Sequence, residues 1–203
     1  MNLPNKITVC RIGLAVLLLL LLILPVEQVG LIFPKFLLNG QILIDSKYFI
    51  CGALFIVASV TDFLDGFIAR KYDMVTDTGK VLDAIADKLL VNGVLILLAY
   101  EGFISVVVPV VIVSRDICVD SIKMMVGSKV GAVGASALGK IKTICMLVGV
   151  SLVFFYNLPF ELWNIRVADM LILIATVLSV VSGVEYFIKN KQFITDNKKE
   201  ITE

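Results

Sequence analysis

"TDFLDGFIARKYDMVTDTGKVLDAIADKLLVNG", residues 61–93, is the stretch on which the reading turns. Its neighbours, "YFICGALFIVASV" before it and the overlapping "LLVNGVLILLAY" after it, have the apolar character of membrane spans. Between them stand six aspartates: Asp62, Asp65, Asp73, Asp77, Asp83 and Asp87. A carboxylate near hydrocarbon costs several kcal/mol or gives up its charge, so such residues mark function by default. On a helix, Asp62, Asp65, Gly66, Ala69 and Arg70 fall at i, i+3, i+4, i+7 and i+8, on one face. After the short "KYDMVTDT" connection, Thr76, Gly79, Asp83 and Asp87 again share a face. Two neighbouring antiparallel helices then turn these acidic faces toward each other. Four carboxylates so close repel, and they either take up protons or bind cations. Two divalent ions would offset their charge. Ions spaced about 3.5–4 Å apart are the arrangement that stabilises attacking and leaving oxygens in phosphoryl chemistry.

The whole chain fits a membrane setting. Its 203 residues are 59% hydrophobic, and the mean hydropathy is +1.00. Soluble domains are roughly 45–50% apolar. A net charge of +1 gives no reason to expect a nucleic-acid partner. The four cysteines (Cys10, Cys51, Cys118, Cys145) sit in apolar runs without CxxC spacing and read as packing residues. There is no histidine, which excludes a Ser-His-Asp triad, a histidine base and any His-ligated metal. Aspartate oxygens favour hard cations such as Mg²⁺, Mn²⁺ or Ca²⁺.

Apolar runs predict six transmembrane helices: 7–24, 47–70, 78–100, 104–127, 138–156 and 167–188. The first also has features of a signal peptide, but "PVEQVG" lacks a clear cleavage site, which favours a retained helix. Residues 26–46 read as a long loop with apolar patches, and 189–203 as a solvated tail. The expectation is a single all-α, polytopic membrane domain. Lys and Arg crowd one side: Lys6, Arg11, Arg70, Lys71, Lys80, Lys129, Lys140, Lys142 and the C-terminal lysines, against Lys35, Lys47 and Arg166 on the other. By the positive-inside bias, both termini and the acidic faces point to the cytoplasm.

Gly66 and Gly79 lie on the acidic faces. Glycine costs about 1 kcal/mol in a helix interior, so something approaches closely there. A ligand and a packed neighbouring helix are both open readings. Arg70 reaches a phosphate or snorkels to the interface. Arg115, Lys123, Lys140 and Lys142 come from two adjacent helices on the same side as the acids. Such a cluster suits the phosphate of an anionic acceptor, although the lysines also obey the positive-inside bias. A cation transporter is the reading from another class. Against it, the acids lie toward one membrane face, and the glycines and Arg70 suit a nucleotide better than a bare ion.

Written as spacing, residues 62–87 are D-x2-D-G-x2-A-R-x8-G-x3-D-x3-D. This resembles the signature of the CDP-alcohol phosphatidyltransferase family at all eight fixed positions. The resemblance implies a six-helix enzyme of the bacterial cytoplasmic membrane, expected as a homodimer. It implies that Asp62, Asp65, Asp83 and Asp87 bind two divalent cations, Mg²⁺ or Mn²⁺, and that Asp87 is also the general base. Gly66, Ala69, Arg70, Thr76 and Gly79 would line the pocket for the CDP-lipid, with Asn5 and Thr8 beside them.

The opening "MNLPNKITVCRI", with Asn2, Pro4, Asn5, Thr8 and Arg11, resembles the branch of the family that accepts glycerol 3-phosphate. "SRDICVDSIK" and "GKIKT" resemble two further segments of that branch. Read plainly, Pro4 and Asn5 mark a helix start and Arg11 anchors the first span. Asp116 stands where the family usually has Glu, and Lys123 where Arg is common; Asp120 adds a negative charge nearby. The implied reaction moves the phosphatidyl group of CDP-diacylglycerol to glycerol 3-phosphate and releases CMP. Phosphatidylglycerol, serine or an inositol phosphate are the alternative acceptors.

Overall fold

The structure is a computed structural model. It describes residues 3–25, 30, 33–38, 42–72, 76–130 and 137–195, with the side chains of 3–4, 38, 42, 65, 67–70, 77–78, 80, 128–130 and 192–195 outside the description. Six long helices run in order: α1 (Leu3–Ile23), α2 (Ser46–Lys71), α3 (Asp77–Tyr100), α4 (Val107–Val130), α5 (Ala137–Phe154) and α6 (Val167–Thr195). Each coincides with an expected span. Two boundaries matter. α1 starts at Leu3, one turn before the apolar run, which brings Asn5 onto the same helix as Thr8 and Arg11. α6 continues to Thr195, into the segment expected as a solvated tail.

Strictly, the all-α expectation is corrected at one place. The stretch read as a loop contains an antiparallel hairpin, β1 (Lys35–Leu38) paired with β2 (Ile42–Asp45). The overlooked signal is Asn39-Gly40 between two apolar runs, a combination typical of tight hairpins.

The helix ends follow local chemistry. Thr76 is the N-cap of α3: its extended backbone lets the side-chain oxygen accept from the Gly79 N–H at 3.0 Å. At the other end of α3 the chain closes a Schellman turn. The N–H groups of Gly102 and Phe103 donate to Ala99 and Leu98 at 3.2 and 2.9 Å. Gly102, at φ +80°, supplies the left-handed residue that the turn requires. Pro109 sits in the first turn of α4, where its missing N–H costs nothing.

α1 packs between α2 and α3, α6 packs against α4 and α5, and α2–α5 and α3–α4 contacts close the bundle. The core runs through Ala15, Leu18, Phe55, Val94, Leu98, Ile112, Met146, Phe154 and Ala175. Outside it, every helix shows exposed aliphatic side chains, among them Leu20, Val57, Ile96, Val110, Ile144 and Leu173. An apolar exterior around a close-packed centre suits lipid rather than water. By length and composition, α1, α2, α5 and α6 are long and apolar enough to cross a membrane. α3 and α4 fall short because they carry the charges described next. All four cysteines are free thiols.

Candidate active site

The acids converge on a residue that the sequence had placed elsewhere. Arg11 is fully buried, on the stripe of α1 that continues through Ala15, Leu18 and Leu22 into the core. One end of its guanidinium pairs with Asp62 of α2, and Nη2 lies 2.5 Å from Asp83 Oδ1 of α3. Burying a cation costs several kcal/mol unless carboxylates pair with it. α1 therefore carries a charge into the seam of the two acidic helices and is held there by both. The carboxylates themselves stay about half exposed, at 41% and 54%, which leaves oxygen lone pairs open to further ligands.

Nearly two turns nearer the N-terminus, Asn5 meets the cap of α3. Its amide nitrogen donates to Thr76 Oγ1 at 3.3 Å, and Thr76 Oγ1 lies 3.4 Å from the amide oxygen. A Cβ on Gly79 would stand 2.7 Å from Asn5 Oδ1 and 2.9 Å from Thr76 Oγ1. Close approach of α1 thus accounts for Gly79 in the structure, favouring the packing reading of that glycine. Thr8 is buried on the same face. Gly66 is half-buried on α2, and the side chains of Asp65, Ala69 and Arg70 lie outside the described residues.

Beside the acids, α3, α4, α5 and α6 enclose a polar cavity of about 270 Å³. Asp87 and Lys88 enter it from α3, and Arg115, Asp116, Asp120 and Lys123 from α4; Lys142 and Tyr186 come from α5 and α6. Asp116 Oδ1 accepts from both Arg115 Nη1 and Lys142 Nζ, each at 2.9 Å. Asp120 pairs with Lys88 and, at 3.8 Å, with Lys123. Arg115 is clamped to α6: Nε donates to Ser179 O at 3.0 Å and Nη2 to Ser182 Oγ at 2.8 Å. Gly183 makes room for it, since a Cβ there would lie 3.0 Å from Arg115 Cγ.

The structure gathers Arg115, Lys123 and Lys142 around one cavity; Lys140 is exposed on α5 and absent from the described lining. It also fixes Arg115 more tightly than expected: with three contacts to α6 and Asp116, the guanidinium orients the cavity wall. Four basic side chains against three carboxylates leave the cavity only slightly positive. Lys88, Tyr186 and Arg11 went unforeseen as site residues.

Asp87 joins the two halves. It lines the cavity together with Asp116 and Lys142, and it stands one helical turn beyond Asp83 on α3. Among the described residues no three acids form a cluster able to hold a metal. Asp62 and Asp83 nevertheless already close on one cation from opposite helices, and carboxylate oxygens are the donors that hard divalent ions take. The donor set fits such ions, with Asp65 as the further acid on that face by spacing.

Comparison with known proteins shows the family of the chain. The model of the family described as CDP-alcohol phosphatidyltransferase matches residues 1–182. A Bacillus subtilis protein is 39% identical over 189 residues, covering 93% of this chain and 95% of its own length. A Rickettsia bellii protein is 30% identical over 193 residues, covering 95% of this chain and 97% of itself. A Haemophilus influenzae protein is 30% identical over 172 residues, covering 82% and 91%. All three are named CDP-diacylglycerol--glycerol-3-phosphate 3-phosphatidyltransferase. The chain belongs to the CDP-alcohol phosphatidyltransferase family.

Proposed function

We propose that this family member is a phosphatidylglycerophosphate synthase: it transfers the phosphatidyl group of CDP-diacylglycerol to sn-glycerol 3-phosphate, giving phosphatidylglycerophosphate and CMP. The observation that carries the reading is the double position of Asp87. It lies one helical turn beyond Asp83, the α3 acid that Arg11 holds, and it lines the charged cavity next to that pair. A residue so placed stands between a site for the donor's pyrophosphate and a site for an anionic acceptor. The name shared by the relatives supplies the same donor and acceptor.

In this reading Asp62, Asp65, Asp83 and Asp87 hold two divalent cations, Mg²⁺ or Mn²⁺, which when bound neutralise the pyrophosphate and stabilise charge on the phosphoryl oxygens. The chain's other residues handle the substrates. Asn5, Gly66, Ala69, Arg70 and Thr76 frame the CDP-lipid, with Thr8 and Gly79 packed behind Asn5 and Thr76. Lys142, Lys123 and Lys88 attract the acceptor's phosphate by charge-assisted hydrogen bonds. Arg115, anchored by Ser179 and Ser182, orients that wall. Asp87 accepts the proton of the acceptor's hydroxyl as its oxygen bonds to the phosphorus on the lipid side. The bond to the CMP oxygen breaks, and CMP leaves.

All six helices cross the membrane in this reading, including the charge-bearing α3 and α4, whose outer faces still expose Ile96 and Val110. The Lys and Arg distribution supports cytoplasmic termini and a site on the cytoplasmic side of the inner membrane. A homodimer belongs to the reading through family resemblance alone.

The test is CMP release by the purified protein in detergent with CDP-diacylglycerol and Mg²⁺, with and without glycerol 3-phosphate. Release only with glycerol 3-phosphate, abolished by EDTA, is the expected result. Release with phosphatidylglycerol, serine or an inositol phosphate instead would move the chain to a sister activity. Turnover that survives thorough chelation would remove the metals from the mechanism.

A further inference from the structure

We propose that Arg11 is the built-in counter-cation of the carboxylate site. It holds Asp62 and Asp83 together across α2 and α3 in the metal-free protein, and its charge opposes divalent cations at the same carboxylates. The inference rests on the reading of those carboxylates as metal ligands, and it assigns a positioning role to a residue outside the family signature.

Three observations carry it. Arg11 is wholly buried, and its guanidinium reaches the two acids from the bundle side. The acids are about half exposed, so ions approach from the opposite, solvent side. Arg11 also belongs to the core stripe of α1, so it cannot leave without unpacking that helix. An arginine stays protonated at any working pH. Its charge therefore remains in the site whether or not ions are bound, stabilising the empty site and opposing a second cation beside it. Without it, facing carboxylates would repel and splay α2 from α3. With it, the empty site stays assembled and holds metal weakly.

The experiment uses the full-length protein in detergent. Mn²⁺ binding is read from the EPR signal of the free ion, and stability from thermal denaturation with and without Mn²⁺. For Arg11→Met, the melting temperature without metal falls, Mn²⁺ restores it, and the apparent Kd for Mn²⁺ drops about tenfold. Arg11→Lys keeps the charge and stays near wild type in both measurements. A residue needed only for packing would instead lower the melting temperature equally with and without Mn²⁺ and leave Kd unchanged or weaker; that result overturns the proposal. If Arg11→Met is recovered only when Mn²⁺ is present during purification, the proposal stands. If it fails to fold in either condition, the proposal is overturned. Wild-type protein that binds no Mn²⁺ would overturn the metal centre as well. Wild-type protein that binds Mn²⁺, with Arg11→Met no tighter, would overturn this inference alone.

Discussion

The two ends of the bundle are both polar, but they use polarity differently. At the acid-bearing end, charges from five helices face one another: Arg11 with Asp62 and Asp83, Lys88 with Asp120, Lys142 and Arg115 with Asp116. The acids of the pair remain half exposed, and Asp87 opens into a cavity. At the opposite end Asn157 also borders a cavity, of about 350 Å³, but its own polar groups are used up locally. Asn157 donates to Glu161 Oε2 at 3.0 Å and to Ile165 O at 2.7 Å, and its oxygen accepts from the Ala168 N–H at 3.0 Å. Around it Tyr48, Phe103 and Tyr156 pack edge to face, with Tyr48 and Phe103 centroids 4.7 Å apart. A buried polar group whose bonds are all satisfied by its own turn is structural. Charges brought together from five helices and left open to solvent or to a cavity are placed for a ligand. The contrast sets separate expectations for the two ends, activity at one and stability at the other.

The sharpest way to break the contrast is Asp87→Asn. The amide is isosteric but a poor base, so turnover should fall by about 10²–10⁴. The melting temperature should hold. CMP release and thermal denaturation on the same preparation check both halves of the statement. Normal turnover would remove the base role of Asp87.

Next comes Asn157→Ala, at the other end. It leaves the Ala168 N–H and the Ile165 carbonyl without their partner, which should cost about 2–3 kcal/mol of stability. Turnover per folded molecule should not change. Loss of activity without loss of stability would show that the two ends are coupled.

How well each end could be read from sequence follows from the same difference. The acidic faces were legible because i, i+3 and i+7 spacing converts directly into one side of a helix, as it does for Asp62 and Asp65 or Thr76, Gly79 and Asp83. Arg11 was not, because a basic residue at the start of an apolar run usually anchors the span to the interface. The available signal was its register: Thr8, Arg11, Ala15, Leu18 and Leu22 repeat at three and four residues, so a charge lies in line with a core stripe. Asn157 carries no local pattern at all, because its partners belong to the following turn and to α6. Hydropathy located α3 and α4 correctly, and the charges that build the site are what shorten the apolar runs of these two helices relative to the other four.

Lys142→Met sharpens the division inside the acid-bearing end. Lys142 is buried with its Nζ on Asp116, in the cavity but away from the Arg11 pair. Methionine keeps much of the volume and removes the charge. The KM for glycerol 3-phosphate should rise about tenfold, the worth of one charge-assisted contact, while affinity for the CDP-lipid stays the same. Equal losses for both substrates would merge the two subsites into one.

Tyr156→Phe is the smallest effect and probes the junction between the hairpin and the bundle. The Asp45 N–H, at the end of β2, donates to the Tyr156 hydroxyl at 3.0 Å. This bond ties the segment between α1 and α2 to the turn after α5. Phenylalanine keeps the ring among Tyr48, Phe49 and Phe103, whose centroids lie 6.0–6.2 Å away. Only the hydrogen bond is lost, and a single neutral bond contributes about 0.5–1.5 kcal/mol. For a chain of this size that lowers the melting temperature by roughly 2–4 °C per kcal/mol. CMP release should be untouched, because no charged partner of the acid site is involved. A larger fall in stability would mean that the hairpin helps to hold the aromatic cluster together; a fall in turnover would mean that its anchorage is felt across the bundle, at Asp87.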